Sequence, residues 1–499
     1  MDKTCYGVGN GPMEAAVSLV EAFLESGKDG RLGPQSYQLL AQLVKMATAP
    51  DPNAQAAGTS AIYSGLVERL CDDFCSVSVS LCNQVLSYLF TLYNETEWGE
   101  TMRAILNDFG LRTQADILAR WDRISAGQRS LPVDKTKIRK LVVLSRVTVG
   151  ADVAITSIIV NRLVHTFPHR QIIVVSPPRL PEIFGGLPTL EFRPITYPRG
   201  GAVSDKLAAW PQIHTLLKKE RSGLKPHQLL LFDPDSRYSQ LGLLPLVEEE
   251  STFYWNSRRT LLPDEGPSLS ALINSWLDTI LDEKGFVYPS IWLAEKYRPL
   301  GSCFHGRLIE NGCQRFIVIS FGVGNNENKR IPGLFERDLV LALLAQEQDT
   351  IILLDTGTGS VGMNRTTAIL SAAGQEGINI DFLEETILLE KRIPFSHGII
   401  GFRGSLGAIA SLTKGADLFI GYDSACQHLA SALGTPAVII FAGAPHQRFI
   451  DRWRPLGKTS SIIIPVGGPP PFSDKTSRTI FSQVLEASSS VFKNIQRSV

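Results

Sequence analysis

The amino-acid sequence predicts an α/β protein in which two doubly wound parallel sheets face a cleft, preceded by an all-helical segment. Three observations predict it. Residues 11–125 carry apolar residues at helical spacing and no strand-like run. From residue 141 onward, short and wholly apolar segments alternate with helical patterns, as in parallel sheets covered on both faces. These segments number nine and are too spread out for one sheet with short connections. At roughly 150 residues per domain, 499 residues give about three domains. The expected division is 1–130, 137–300 and 301–499.

In the first part, helices are expected over 14–26, with Ala15, Leu19, Ala22 and Phe23 on one stripe, and over 36–46, with Tyr37, Leu40 and Val44. Others are expected over 78–92, 98–109 and 113–124. Gly30, Gly33-Pro34, Ala49-Pro50-Asp51-Pro52, Gly58 and Gly110 read as breakers between them. Cys71, Cys75 and Cys82 fall on one face of a helix and read as core packing, because no fourth Cys or nearby His completes a metal set. Beyond Leu131-Pro132, the run Leu141-Val142-Val143-Leu144-Ser145 is the first strand. Further strands are expected near 171–175, 229–232, 315–320, 350–354, 398–401, 417–420, 437–441 and 460–464. Helices are expected near 153–166, 205–220, 268–282, 333–346, 405–413, 425–433 and 475–494, and 256–312 reads as the join between the halves.

Composition excludes several classes. With 44% hydrophobic residues, mean hydropathy +0.05 and 49 basic against 49 acidic residues, the chain is not a disordered one. The balance also argues against nucleic acid, or an anionic membrane gripped by bulk charge, as partner. Residues 1–135 hold 16 acidic and 11 basic residues, and 136–499 hold 33 and 38, so the larger part suits a small anionic substrate or is plain solvated surface. Apolar runs such as Ala437-Val438-Ile439-Ile440-Phe441-Ala442 are far below the ~18–20 residues of a membrane span. Met1-Asp2-Lys3-Thr4-Cys5-Tyr6 has no secretory pattern, and seven cysteines, an odd number, read as reduced thiols, so the expected location is cytoplasmic.

Three turns carry residues suited to chemistry. After the first strand come Arg146, Gly150 and Asp152, where Gly150 permits a tight turn and Asp152 reads either as a helix cap or as a base facing the cleft. The segment Phe321-Gly322-Val323-Gly324-Asn325-Asn326-Glu327-Asn328-Lys329-Arg330 reads as a phosphate-binding loop or as ordinary turn chemistry. In Gly421-Tyr422-Asp423-Ser424-Ala425-Cys426-Gln427-His428, a strand ends, a helix begins, and its free N–H groups suit a phosphate. Asp423 there reads as a sugar ligand or an N-cap. Arg237, after the strand at 229–232, reads as a contact for an anionic acceptor or as part of a plain Asp-Pro-Asp turn.

The segment Asp423-Ser-Ala-Cys-Gln-His428-Leu-Ala-Ser-Ala-Leu-Gly434-Thr-Pro436 resembles the signature of glycosyltransferase family 9, the ADP-heptose:lipopolysaccharide heptosyltransferases and their relatives. Gly150 with Asp152, Phe167-Pro168, and Lys329 before Ile331-Pro332 follow in the family's order, over about 137–495. The resemblance implies a GT-B fold of two Rossmann-like domains and inverting sugar transfer from a nucleotide diphosphate sugar, with no metal or other cofactor. It implies Asp152 as general base, Lys329 opposite the leaving diphosphate, and donor contacts from Gly324, Asn325, Asp423, Ser424, Ala425 and His428. Ala151 separates Gly150 from Asp152, Ala425 stands where the signature has Gly, and Asp355 stands in for a ribose-contacting Glu. The acceptor is then a cell-envelope glycan or lipid-linked sugar held by Arg146 and Arg237, with peripheral association at the inner face of the membrane. The helical domain is left as a docking element for a partner. A nucleotide-sugar 2-epimerase and a non-catalytic nucleotide-sugar binder are the alternatives.

Overall fold

The structure, a computed structural model, describes residues 11–496 apart from 97–98, 127–129, 132–133, 199, 260–266, 325, 358 and 469. Strands β1 (Lys140–Leu144), β2 (Gln171–Ser176), β3 (Leu190–Pro194), β4 (Leu229–Asp233) and β5 (Thr252–Tyr254) form a parallel sheet in the order β3-β2-β1-β4-β5. Strands β6 (Arg315–Ser320), β7 (Thr350–Asp355), β8 (Ile380–Glu384), β9 (Gly398–Arg403), β10 (Leu418–Tyr422), β11 (Ala437–Phe441) and β12 (Ser461–Pro465) form a second, ordered β12-β11-β10-β6-β7-β9-β8. The predicted class is the one observed: α/β of GT-B type, two Rossmann-like sheets after a helical region. Strand order reverses between β1 and β4 and between β6 and β10, and ligands of such sheets bind at the carboxyl ends beside those reversals.

Period-two alternation assigns each strand to two cores. Leu141 and Val143 of β1 join an apolar core that runs on into β6 and β7 through Phe316, Val318 and Ile351. Val142 and Leu144 point the other way, into a core shared with the helical region, including Leu66, Leu86, Phe90 and Trp121. A third core covers the outer face of the second sheet.

The helical region departs from expectation in two places. Residues 52–72 form one continuous run, Pro52–Ser60, Ala61–Glu68 and Arg69–Asp72, where breakers were expected. Pro52 sits at the first helical turn, which tolerates it. Gly58 lies where this helix crosses the preceding one, and a Cβ there would stand 2.3 Å from Ala47 N. The three cysteines do not share a helix: Cys71 lies within Arg69–Asp72, Cys75 caps Ser76–Asn94, and Cys71 Sγ meets Cys82 Sγ at 3.8 Å across the turn. In the join, helix Leu269–Leu281 lies as expected and Arg298–Glu310 is an unexpected second one. Among the described residues no helix is long and apolar enough to cross a membrane.

Candidate active site

The turn after β10 is built around Asp423. Its carboxylate is 7% exposed, is bonded by Lys329 Nζ, and accepts a hydrogen bond from Gln427 Nε2 at 2.6 Å. The N-cap reading of Asp423 therefore fails. Ser424 occupies the cap of helix Ala425–Leu433 and makes no capping bond, so the first N–H groups of that helix keep no side-chain partner among the described residues. Ser424 Oγ and Gln427 Oε1 are buried with no hydrogen-bond partner among the described residues. Unsatisfied polar atoms cost on the order of 1–3 kcal/mol each when nothing binds them, and here they flank a positive helix end. His428 packs against Trp453 and lies 3.4 Å from Gln427 Nε2. Burial pushes its imidazole down to about 4, so it is a neutral group at physiological pH.

The loop after β6 delivers Lys329 to this turn. Gly324 has φ +65°, the left-handed region, and Gly443 from the loop after β11 lets that loop close on Asn328, whose O a Cβ would approach to 2.3 Å. Lys329 Nζ also stands 5.3 Å from the centre of the Phe449 ring. Asn325 lies outside the described residues. At the end of β7, Asp355 accepts from Ser320 Oγ and from Gly357 N, each at 2.9 Å, and burial raises its carboxyl. It lines a crevice with Phe321, Thr356 and Arg365, adjacent to the Asp423 turn through Ser320.

Across the cleft, the turn after β1 touches the Asp423 helix. A Cβ on Gly150 would lie 3.1 Å from both Ala425 Cα and His428 Cδ2, so only glycine fits without a shift. Asp152 does not open onto the cleft. It is 1% exposed and accepts from Ser145 Oγ (2.7 Å), Arg146 N (2.7 Å) and Thr156 Oγ1 (2.8 Å), tying the turn together. Burial pushes its carboxyl up to about 6 against these donors. Nor does it cap a helix, since the N–H it holds belongs to the turn. Arg146, expected at the acceptor, instead spends Nη1 on Pro234 O (2.8 Å) and Ser257 Oγ (2.6 Å). Its partner loop contains a group that the sequence concealed. Asp235, in the Asp-Pro-Asp turn with φ +65°, accepts from Arg258 Nε (2.9 Å), Tyr254 OH (2.6 Å) and Ser257 Oγ (2.7 Å) and is fully buried. Arg237 stays half-buried, and its side chain makes no hydrogen bond or ion pair among the described residues. Burial lowers its guanidinium, but the fields of Cys71, Tyr197 and Glu68 outweigh that and raise it.

Residues 398–475, which hold the Asp423 turn, match the family model "Glycosyltransferase family 9 (heptosyltransferase)". The resemblance to glycosyltransferase family 9 is borne out. A family 9 glycosyl transferase from Veillonella parvula has a similar fold, at 14% identity and TM-score 0.50, covering 71% of this chain and 97% of its own. The E. coli ADP-heptose lipopolysaccharide heptosyltransferase II matches at 15% identity and TM-score 0.47, covering 72% of this chain and 100% of its own. No curated protein matches the sequence. The family 9 segment thus brings Asp423, Ser424 and His428 together, while Lys329 reaches them from outside it.

Proposed function

We propose that this chain is an inverting glycosyltransferase that moves a sugar, of heptose type, from a nucleotide diphosphate donor to a cell-envelope glycan or lipid-linked acceptor. The observation that carries the reading is the Lys329–Asp423 pair at the N-terminus of helix Ala425–Leu433, beside the unpartnered Ser424 hydroxyl. The leaving group is a nucleoside diphosphate, and its charge needs fixed positive partners as the glycosidic bond breaks. Lys329, released from Asp423, meets that charge together with the helix N–H groups, and Asp423 turns to the sugar hydroxyls. These groups do the work assigned elsewhere to a metal ion. Arg237, the unengaged guanidinium on the other half, takes an anionic group of the acceptor.

The reading is tested by thermal shift with ADP-, GDP-, UDP- and dTDP-sugars, followed by release of nucleoside diphosphate. One nucleotide class should raise Tm, and Lys329→Met should abolish that rise and cut release by about 10² or more. Turnover of donor alone to an epimeric sugar would instead establish a 2-epimerase. No shift with any nucleotide would end the transferase reading.

A further inference from the structure

We propose that the turn Asp73-Phe74-Cys75 of the helical region positions Lys329 for the donor diphosphate, acting through helix Gln447–Trp453, with Phe74 as its anchor. The proposal rests on the transferase reading above. Helix Gln447–Trp453 follows β11 and touches the site through two rings. The centre of its Phe449 ring lies 5.3 Å from Lys329 Nζ, and its Trp453 ring packs on His428 at 6.1 Å between centres. The loop leading into it carries Gly443, which lies against Asn328 O and Lys329 N.

The helical region grips the same helix at three points. Asp73 Oδ1 stands 3.4 Å from His446 Nε2, Arg448 Nη1 donates to Asp73 O at 3.2 Å, and the Phe74 ring centre lies 5.9 Å from the Arg452 guanidinium. His446 is the N-cap, and its Nδ1 accepts from Phe449 N at 3.1 Å, which in the neutral ring leaves the proton on Nε2, the nitrogen beside Asp73. Phe74 is buried and shares one apolar core with Phe449 and Ile450. Its φ of +52° is one that bulky residues rarely adopt, and such a backbone persists only where its surroundings over-determine it. A further tie, from Arg452 Nη1 to Pro267 O at 3.0 Å, fixes the helix to the join between the halves.

Lysine carries its charge on a flexible four-carbon stem, so an ammonium that must meet a leaving diphosphate needs a wall to hold it in place beforehand. The Phe449 ring is that wall, since an aromatic face both limits the stem and attracts the charge. Residues 398–475, which match the family model, include this helix but not the turn that anchors it. The helical region thereby acts on the donor site from outside the family segment.

The test uses the full chain, calorimetry with ADP, GDP, UDP and dTDP, and release of nucleoside diphosphate from the matching sugars with a cell-envelope glycolipid extract as acceptor. Phe74→Ala and the surface pair Asp73→Ala/Arg448→Ala should each weaken binding of the preferred diphosphate about fivefold. The surface pair should keep Tm without nucleotide within about 1–2 °C, so it carries the test if Phe74→Ala fails to fold. In both, kcat for release should fall about fivefold while the half-saturating amount of extract stays the same. Added to Lys329→Met, neither change should slow release by more than about twofold, because the wall acts only through that ammonium. Unchanged diphosphate affinity in both variants would overturn the proposal, as would losses that multiply in the Lys329→Met background. A wild type that binds none of the four diphosphates ends the transferase reading instead, and this proposal with it.

Discussion

The Asp152 carboxylate is the single acceptor for two hydroxyls and one peptide N–H inside the β1 turn. Asp152→Asn keeps one carbonyl for these donors and points an amide N–H₂ at the rest, which should cost about 1–3 kcal/mol in urea unfolding at pH 5. The cost should shrink by pH 8. The wild-type carboxyl is raised to about 6, so the stability carried by its protonated form is present near pH 4 and lost as pH rises through 6. An equal cost at both pH values would mean that the carboxylate is ionised throughout and held by its donors. Sequence could place Asp152 in the right turn, but not say which way it faced. The same limit applies to Arg146 and to Asp235, because a short polar turn reads alike whether its carboxylate meets water or a buried Arg258.

Among elements, helix Ala425–Leu433 was legible in full. A wholly apolar strand precedes it, and Gly434 at φ +79° closes it before the next strand. The nine expected strands are all present within a residue or two, because each carries an apolar run, buried on both faces in all but the edge strand β12. The three that went unread, β3, β5 and β8, all lie at sheet edges. Leu190-Glu191-Phe192-Arg193-Pro194 and Ile380-Asp381-Phe382-Leu383-Glu384 interleave charge with apolar residues, as an edge half open to solvent permits, and β5 is only three residues long. What the strand-and-turn pattern could not reveal was that the Ser424 hydroxyl at the helix start makes no capping bond. Ser424→Ala should leave Tm within 1–2 °C, since the hydroxyl bonds nothing among the described residues, yet weaken nucleoside diphosphate binding about tenfold, the worth of one hydrogen bond to a charged group. Unchanged affinity would put the diphosphate elsewhere.

At the scale of the molecule, the expected boundary near residue 130 separates elements but not cores. The helical region buries Leu66, Leu86, Leu89 and Phe90 in the same apolar cluster as Val142, Leu144, Ile173 and Leu231 of the first sheet. Arg120 Nη1 to Gly242 O at 2.9 Å and the paired Arg123–Glu249 contact add polar ties. An acidic segment preceding a mildly basic one looks, in sequence, like an appendage, because long-range packing leaves no local mark. Removing it would expose one face of a parallel sheet that needs cover on both sides. A chain beginning at residue 134 should therefore aggregate or elute as a heterogeneous species with weakened near-ultraviolet circular dichroism. A protease nick within 127–133 should leave two fragments that co-elute on gel filtration. The nicked protein should also keep its nucleotide-induced rise in Tm, because the contacts that hold Asp73 against His446 and Trp121 against Leu241 do not run through the nicked segment. Two separately folded fragments parting in native buffer would show that the shared core contributes little to holding the helical region.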